Sequence, residues 1–121
     1  MIPQIGEMSY AAKVVEVHSG DDVVLMVDLG VDGLFKRVRA RLHKVDTPDA
    51  YKSDSKSEAG KIRDKVRTMV ADKECIVTVH APRKSGWIVT LHVITNPQNC
   101  VNLNEHLISQ GYIYGSGAVA G

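Results

Sequence analysis

Alternation of apolar and polar residues dominates the first third of the chain. The runs Tyr10-Ala11-Ala12-Lys13-Val14-Val15-Glu16-Val17-His18 and Asp22-Val23-Val24-Leu25-Met26-Val27-Asp28-Leu29 are rich in β-branched residues, which predicts strands over 10–18 and 22–29. A Ser-Gly turn separates them, and the Gly30 to Gly33 stretch turns the chain again. Over 34–43, Val38, Ala40 and Leu42 alternate with Arg37, Arg39, Arg41 and His43, so one face is apolar and the other cationic. Three such runs joined by short turns predict an antiparallel meander.

The period then changes. Ala59, Ile62, Val66, Met69 and Val70 recur at helical spacing, with Lys61, Arg63, Lys65 and Arg67 assigned to the outer face. Ser55 followed by Glu58 has the spacing of a capping box. Strands return over 75–81 and 87–95 around a Pro82-Arg83-Lys84-Ser85-Gly86 turn, and a short helix over 103–110 ends at Gly111. The order strand-strand-strand-helix-strand-strand-helix predicts an α+β fold: a five-stranded Greek-key β-barrel of the OB type with helices packed on it. The expected organisation is an N-terminal extension over 1–9, the barrel domain over 10–114 and a flexible small-residue tail over 115–121.

Size and composition narrow the class. A chain of 121 residues builds a single core, and 44% hydrophobic with 24% charged residues excludes a disordered chain or a coiled coil. No apolar run approaches the roughly 20 residues of a membrane span, and no basic-then-apolar leader opens the sequence, so the expectation is a cytoplasmic protein with no membrane partner, or a secreted one where a leader has been removed. Cys75 and Cys100 lack zinc-site spacing and read as free thiols. His18, His43, His80, His92 and His106 sit singly on predicted elements, outside any metal-ligand pattern. The formal charge is only +1, but it is unevenly spread. Residues 1–35 carry one cation and six acids, whereas residues 36–84 carry fourteen cations and seven acids. An acidic site beside a basic surface is one arrangement that distribution allows.

Candidate chemistry lies in two loops. Asp21 and Asp22 occupy the first turn, and Asp46-Thr47-Pro48-Asp49 follows the third strand. In a barrel, two such loops can meet at one end and offer Asp21, Asp46 and a carbonyl oxygen to a hard cation such as calcium. Arg41, five residues before Asp46, is near enough to contact an anion held there. Carboxylates, a hard cation and a guanidinium are the groups that phosphodiester hydrolysis needs: one polarises the phosphoryl oxygen, one activates water and one neutralises the added charge.

The same residues resemble a known family. The segment Val14 to Met26 with its Gly20-Asp21-Asp22-Val23 turn, Arg41-Leu42-His43-Lys44-Val45-Asp46-Thr47-Pro48-Asp49, Glu58-Ala59, and Asn104-Glu105-His106-Leu107-Ile108-Ser109-Gln110-Gly111 are similar in order and spacing to staphylococcal nuclease (thermonuclease). The resemblance covers residues 10 to 114. It implies an OB-fold and calcium-dependent cleavage of DNA and RNA to 3′-phosphate products. It further implies that Asp21 and Asp46 supply the calcium carboxylates, Thr47 a backbone carbonyl ligand, and Arg41 the first of two phosphate-binding arginines. Asp49 stands where the family has a glutamate proposed as general base, one methylene shorter. Trp87 stands where the second arginine would be, after Lys84-Ser85-Gly86. Arg83 and Lys84 are the neighbouring cations that could meet phosphate, Trp87 offers a ring for base stacking, and Tyr112 and Tyr114 come early relative to the family's tyrosines. The expected partner is nucleic acid, and the expected cofactor is Ca²⁺. The shortened Asp49 and the arginine missing at Trp87 also suit a different class: a catalytically degenerate module that binds nucleic acid or protein without cutting.

Overall fold

A computed structural model describes residues 8–47 and 57–112. Six strands and two helices follow in the order β1 (Ser9–Ser19), β2 (Asp22–Asp28), β3 (Phe35–Leu42), α1 (Glu58–Val70), β4 (Cys75–Arg83), β5 (Gly86–Asn96), β6 (Asn99–Asn102) and α2 (Leu103–Ser109). Strands β1, β2 and β3 form the antiparallel meander that the alternation predicts, with Val14 opposite Leu25 and Leu25 opposite Val38. β1 also pairs with β4, and β4 with β5. A parallel pairing of β3 with β5, Ala40 beside Trp87 and Leu42 beside Val89, closes the ring. The result is a closed five-stranded β-barrel with two helices, an OB-like α+β architecture. Irregular register in β1, between Val14 and Glu16 and again between Val17 and Ser19, supplies the extra twist that a closing strand needs.

The barrel is filled mainly by valine and leucine. Val23, Leu25, Val27, Val77, Val89 and Leu91 are fully buried, each worth about 1.5–3 kcal/mol relative to exposure. The helices close over this core: Ala59, Ile62, Val66 and Val70 form the buried stripe of α1, and Leu103 and Leu107 that of α2. Asn104 fixes α2 to the barrel. Its Oδ1 accepts from the Leu91 amide at 2.9 Å, and its Nδ2 donates to the carbonyls of Val89 at 2.9 Å and His43 at 3.1 Å. Among the described residues no helix is long and apolar enough to cross a membrane.

Several local expectations change. The N-cap of α1 is Ser57, whose hydroxyl accepts from the Gly60 amide at 3.0 Å, whereas Ser55 lies outside the described residues. Arg63, assigned to the outer face, is buried with its Nε bonded to Asp64 at 3.1 Å. The turn between β4 and β5 contracts to Lys84 and Ser85, because Arg83 pairs with Gly86 and Pro82 with Trp87. β6, absent from the predicted elements, is a four-residue edge strand paired with β5 that runs directly into α2. Neither Cys75 nor Cys100 forms a disulfide, and burial pushes the Cys75 thiol up to about 12, which disfavours its thiolate.

Candidate active site

The β1–β2 turn, the outer face of β3 and the segment that leaves β3 meet at one end of the barrel. Gly20 makes that meeting possible: a Cβ there would stand 2.6 Å from Ile62 Cγ2 and 2.8 Å from Thr47 Cγ2. Only a hydrogen fits, so α1 and Thr47 close directly onto the turn. The Leu42 amide donates to the Asp21 carbonyl at 2.9 Å, tying the turn to the end of β3. Asp46 is anchored from the other side by its amide, which donates to the Tyr112 carbonyl at 3.1 Å.

These contacts gather Asp21, Asp46, Thr47 and Arg41 around one open cleft of about 680 Å³. Asp21 is only 3% exposed, an unusual environment for a carboxylate. Its Oδ1 accepts from Ser19 Oγ at 2.9 Å and from Thr47 Oγ1 at 3.0 Å. Its Oδ2 lies 3.5 Å from Nη2 of the exposed Arg41. The side chain of Asp46 is half-buried on the same cleft.

Alternation on β3 brings in a second guanidinium. Arg39 Nε donates to Asp22 Oδ1 at 3.0 Å while its Nη2 donates to Oδ2, and both residues line the cleft. Asp22 and Arg39 were legible only as a turn acid and a strand cation. Their pairing belongs to two strands seventeen residues apart, which a local pattern does not display. His18 and Ser19 complete the lining. The cleft therefore carries three carboxylates and two guanidinium groups.

The donor set suits a hard cation. Carboxylate oxygens of Asp21 and Asp46 and a carbonyl of Thr47 are all oxygen donors, and Ser19 and Thr47 occupy Oδ1 of Asp21 without taking Oδ2. No three His, Cys, Asp or Glu side chains cluster as a metal group among the described residues, and Asp49 lies outside them.

Lys84, Arg83 and Trp87 line a neighbouring groove with Lys36, Arg37 and Arg39 rather than the cleft. Trp87 is half-buried, packed on the core and on Tyr10 with ring centroids 6.3 Å apart. Tyr112 also packs against the core and meets the site through its carbonyl; Tyr114 is outside the described residues. A third groove is lined by Arg41, His43, Lys44, Arg83 and Ile88. Beside it the His43 and His80 rings stack with centroids 4.4 Å apart, so two histidines that looked solitary form a pair. His80 is held below the usual histidine range, first by burial and then by His43 and Lys44, and its Nε2 is hydrogen-bonded to Thr90 Oγ1 at 2.7 Å.

No family model matches this chain, and no curated protein matches it.

Proposed function

We propose that the protein is a calcium-dependent phosphodiesterase that hydrolyses DNA or RNA, of the thermonuclease type and with that family's Greek-key OB barrel. The observation that carries the reading is the convergence of Asp21, Asp46, Thr47 and Arg41 on one cleft from segments up to 26 residues apart. With the three carboxylates and two guanidinium groups at their formal charges, the cleft is net negative by one. A divalent cation reverses that sign, and a phosphodiester monoanion then balances it.

Bound to Asp21, Asp46 and the Thr47 carbonyl, calcium would polarise a phosphoryl oxygen and offset its charge. Arg41 donates to the equatorial phosphoryl oxygens, where charge grows as the phosphorus becomes pentacoordinate. Asp22 holds Arg39 in the same cleft, where its guanidinium can share that task. Asp49 is proposed to accept the proton of the attacking water as its oxygen bonds to phosphorus; the P–O5′ bond breaks, the 5′-oxygen leaves as a hydroxyl after taking a proton from solvent, and the other fragment keeps a 3′-phosphate.

Arg41→Ala should lower kcat by roughly 10²–10³ while calcium affinity is retained. An unchanged rate in that variant would remove the arginine from the mechanism. A second reading, a barrel that binds nucleic acid without cutting it, is favoured by the groove in which Trp87 lies beside Arg37, Arg83 and Lys84, away from the carboxylates of the cleft. It predicts salt-sensitive binding that is indifferent to calcium, with no cleavage at high protein concentration.

A further inference from the structure

Beyond the cleft, the outward row of β3 continues as Arg37, Arg39 and Arg41, all exposed, on alternate residues. Their Cα atoms repeat at about 7 Å, twice the rise of a strand. The tip of the β4–β5 hairpin faces this row. Gly86 is drawn so close to β3 that a Cβ would stand 3.3 Å from the Arg39 carbonyl oxygen, which sets Arg83 and Lys84 beside the row as a second wall.

The intervening space is two grooves, of about 500 and 370 Å³. Arg39 lines both the cleft and the larger groove, Arg41 both the cleft and the smaller, and Arg83 both grooves. The cationic path is therefore continuous with the cleft. No acidic residue lines either groove among the described residues. Glu16 binds Arg37 in an ion pair exposed on both sides and worth only about 0–1 kcal/mol, so phosphate can compete for that guanidinium. The mostly buried Asp22 holds Arg39 through Nε and Nη2, and the Arg39 side chain, 58% exposed, still lines the groove. Trp87, half-buried, lines the larger groove and adds an aromatic surface. Evenly spaced cations in a narrow groove with an aromatic on its wall fit one unpaired strand, whose phosphates repeat along a line and whose bases are free to stack.

We infer that a single strand of nucleic acid lies along the outer row of β3, its phosphates held by Arg37 and Arg39 on one side and Arg83 and Lys84 on the other. The row, rather than the cleft, supplies most of the affinity. This inference rests on the proposed phosphodiesterase only for where the strand is cut. Binding itself needs neither calcium nor catalysis.

The test is fluorescence anisotropy of a labelled oligothymidylate with the full chain in chelator, over a range of sodium chloride concentrations. Arg37→Ala, Arg39→Ala and Arg83→Ala should each weaken binding and reduce the slope of log K against log salt by about 0.7. Lys61→Ala and Lys65→Ala, exposed on α1, should leave both unchanged. Unlabelled duplex of the same length and polyglutamate should compete poorly. Absence of binding by the wild type, an unchanged slope in the row variants, an equal loss in the helix variants, or equal competition by duplex or polyglutamate would each overturn the inference. Row-dependent binding without any cleavage would count against the phosphodiesterase alone. Calcium-dependent cleavage with row-independent binding would count against the track alone.

Discussion

Replacing Asn104 with alanine should be among the most destabilising single changes outside the apolar core. The side chain is 4% exposed and makes three hydrogen bonds, one to the amide of the fully buried Leu91 and two to the carbonyls of Val89 and His43. At about 1 kcal/mol net for each bond, truncation costs about 3 kcal/mol, and more where the Leu91 amide is left without a partner in the interior. Asn102→Ala is the internal comparison. Asn102 caps α2 through one exposed bond to the Glu105 amide at 3.1 Å, so its loss should cost about 1 kcal/mol. Asn104→Asp keeps the acceptor for Leu91 but turns an oxygen towards two carbonyls, and should be no better tolerated than alanine at neutral pH. Urea denaturation followed by the fluorescence of Trp87, the single tryptophan, reads these differences. With a slope of about 1–3 kcal/mol/M, the Asn104→Ala midpoint should fall by about 1–3 M. A loss no larger than that of Asn102→Ala would refute the idea that this amide staples α2 and the end of β3 together.

Other expectations follow from the same geometry. Gly20→Ala should destabilise, because overpacking against Ile62 and Thr47 costs about 1–3 kcal/mol and the stiffer unfolded chain returns only about 0.4–1 kcal/mol. A stability equal to the wild type in urea would show that the turn has room. Burial depresses His80 and, with Glu105 opposing, His92, so the unfolded chain takes up these protons first as pH falls below about 6.5. Their neutral forms therefore favour the fold above that pH, and the benefit is lost as pH drops through the folded values. His80→Asn should flatten this acid-side decline in melting temperature, and an unchanged decline would count against the assignment. Trp87→Arg should lower stability through lost packing on Tyr10 and give no gain in cleavage, since position 87 lines the neighbouring groove; a faster enzyme would show that an arginine there does reach the cleft.

Much of the fold was legible because its signals are local. Valine-rich alternation marks β1, β2 and β3, and the 3.6-residue stripe from Ala59 to Val70 marks α1. Closure of the barrel was not, since the parallel pairing of Ala40 with Trp87 joins residues 47 apart and leaves no local trace. β6 was missed for another reason: four residues merging into a helix carry too little period to register. The cleft divides in the same way. Asp21, Asp46 and Arg41 stand out as turn acids and a strand cation, whereas the hydroxyl of Thr47 on Asp21, the Arg39 pair with Asp22 and the stacked His43 and His80 depend on contacts between distant segments. Arg63 shows that a helical period assigns a face but not the depth of a long side chain that can fold back to a neighbour such as Asp64.

The most direct measurement is the initial rate of oligonucleotide cleavage against free calcium, for the wild type and Asp21→Asn purified side by side. The rate should rise to saturation with calcium in the wild type, vanish in chelator, and be lost in the variant, whose buried amide keeps the shape of the turn but not the charge. Cleavage that persists in chelator, or an Asp21→Asn protein that cuts as fast as the wild type, would contradict it.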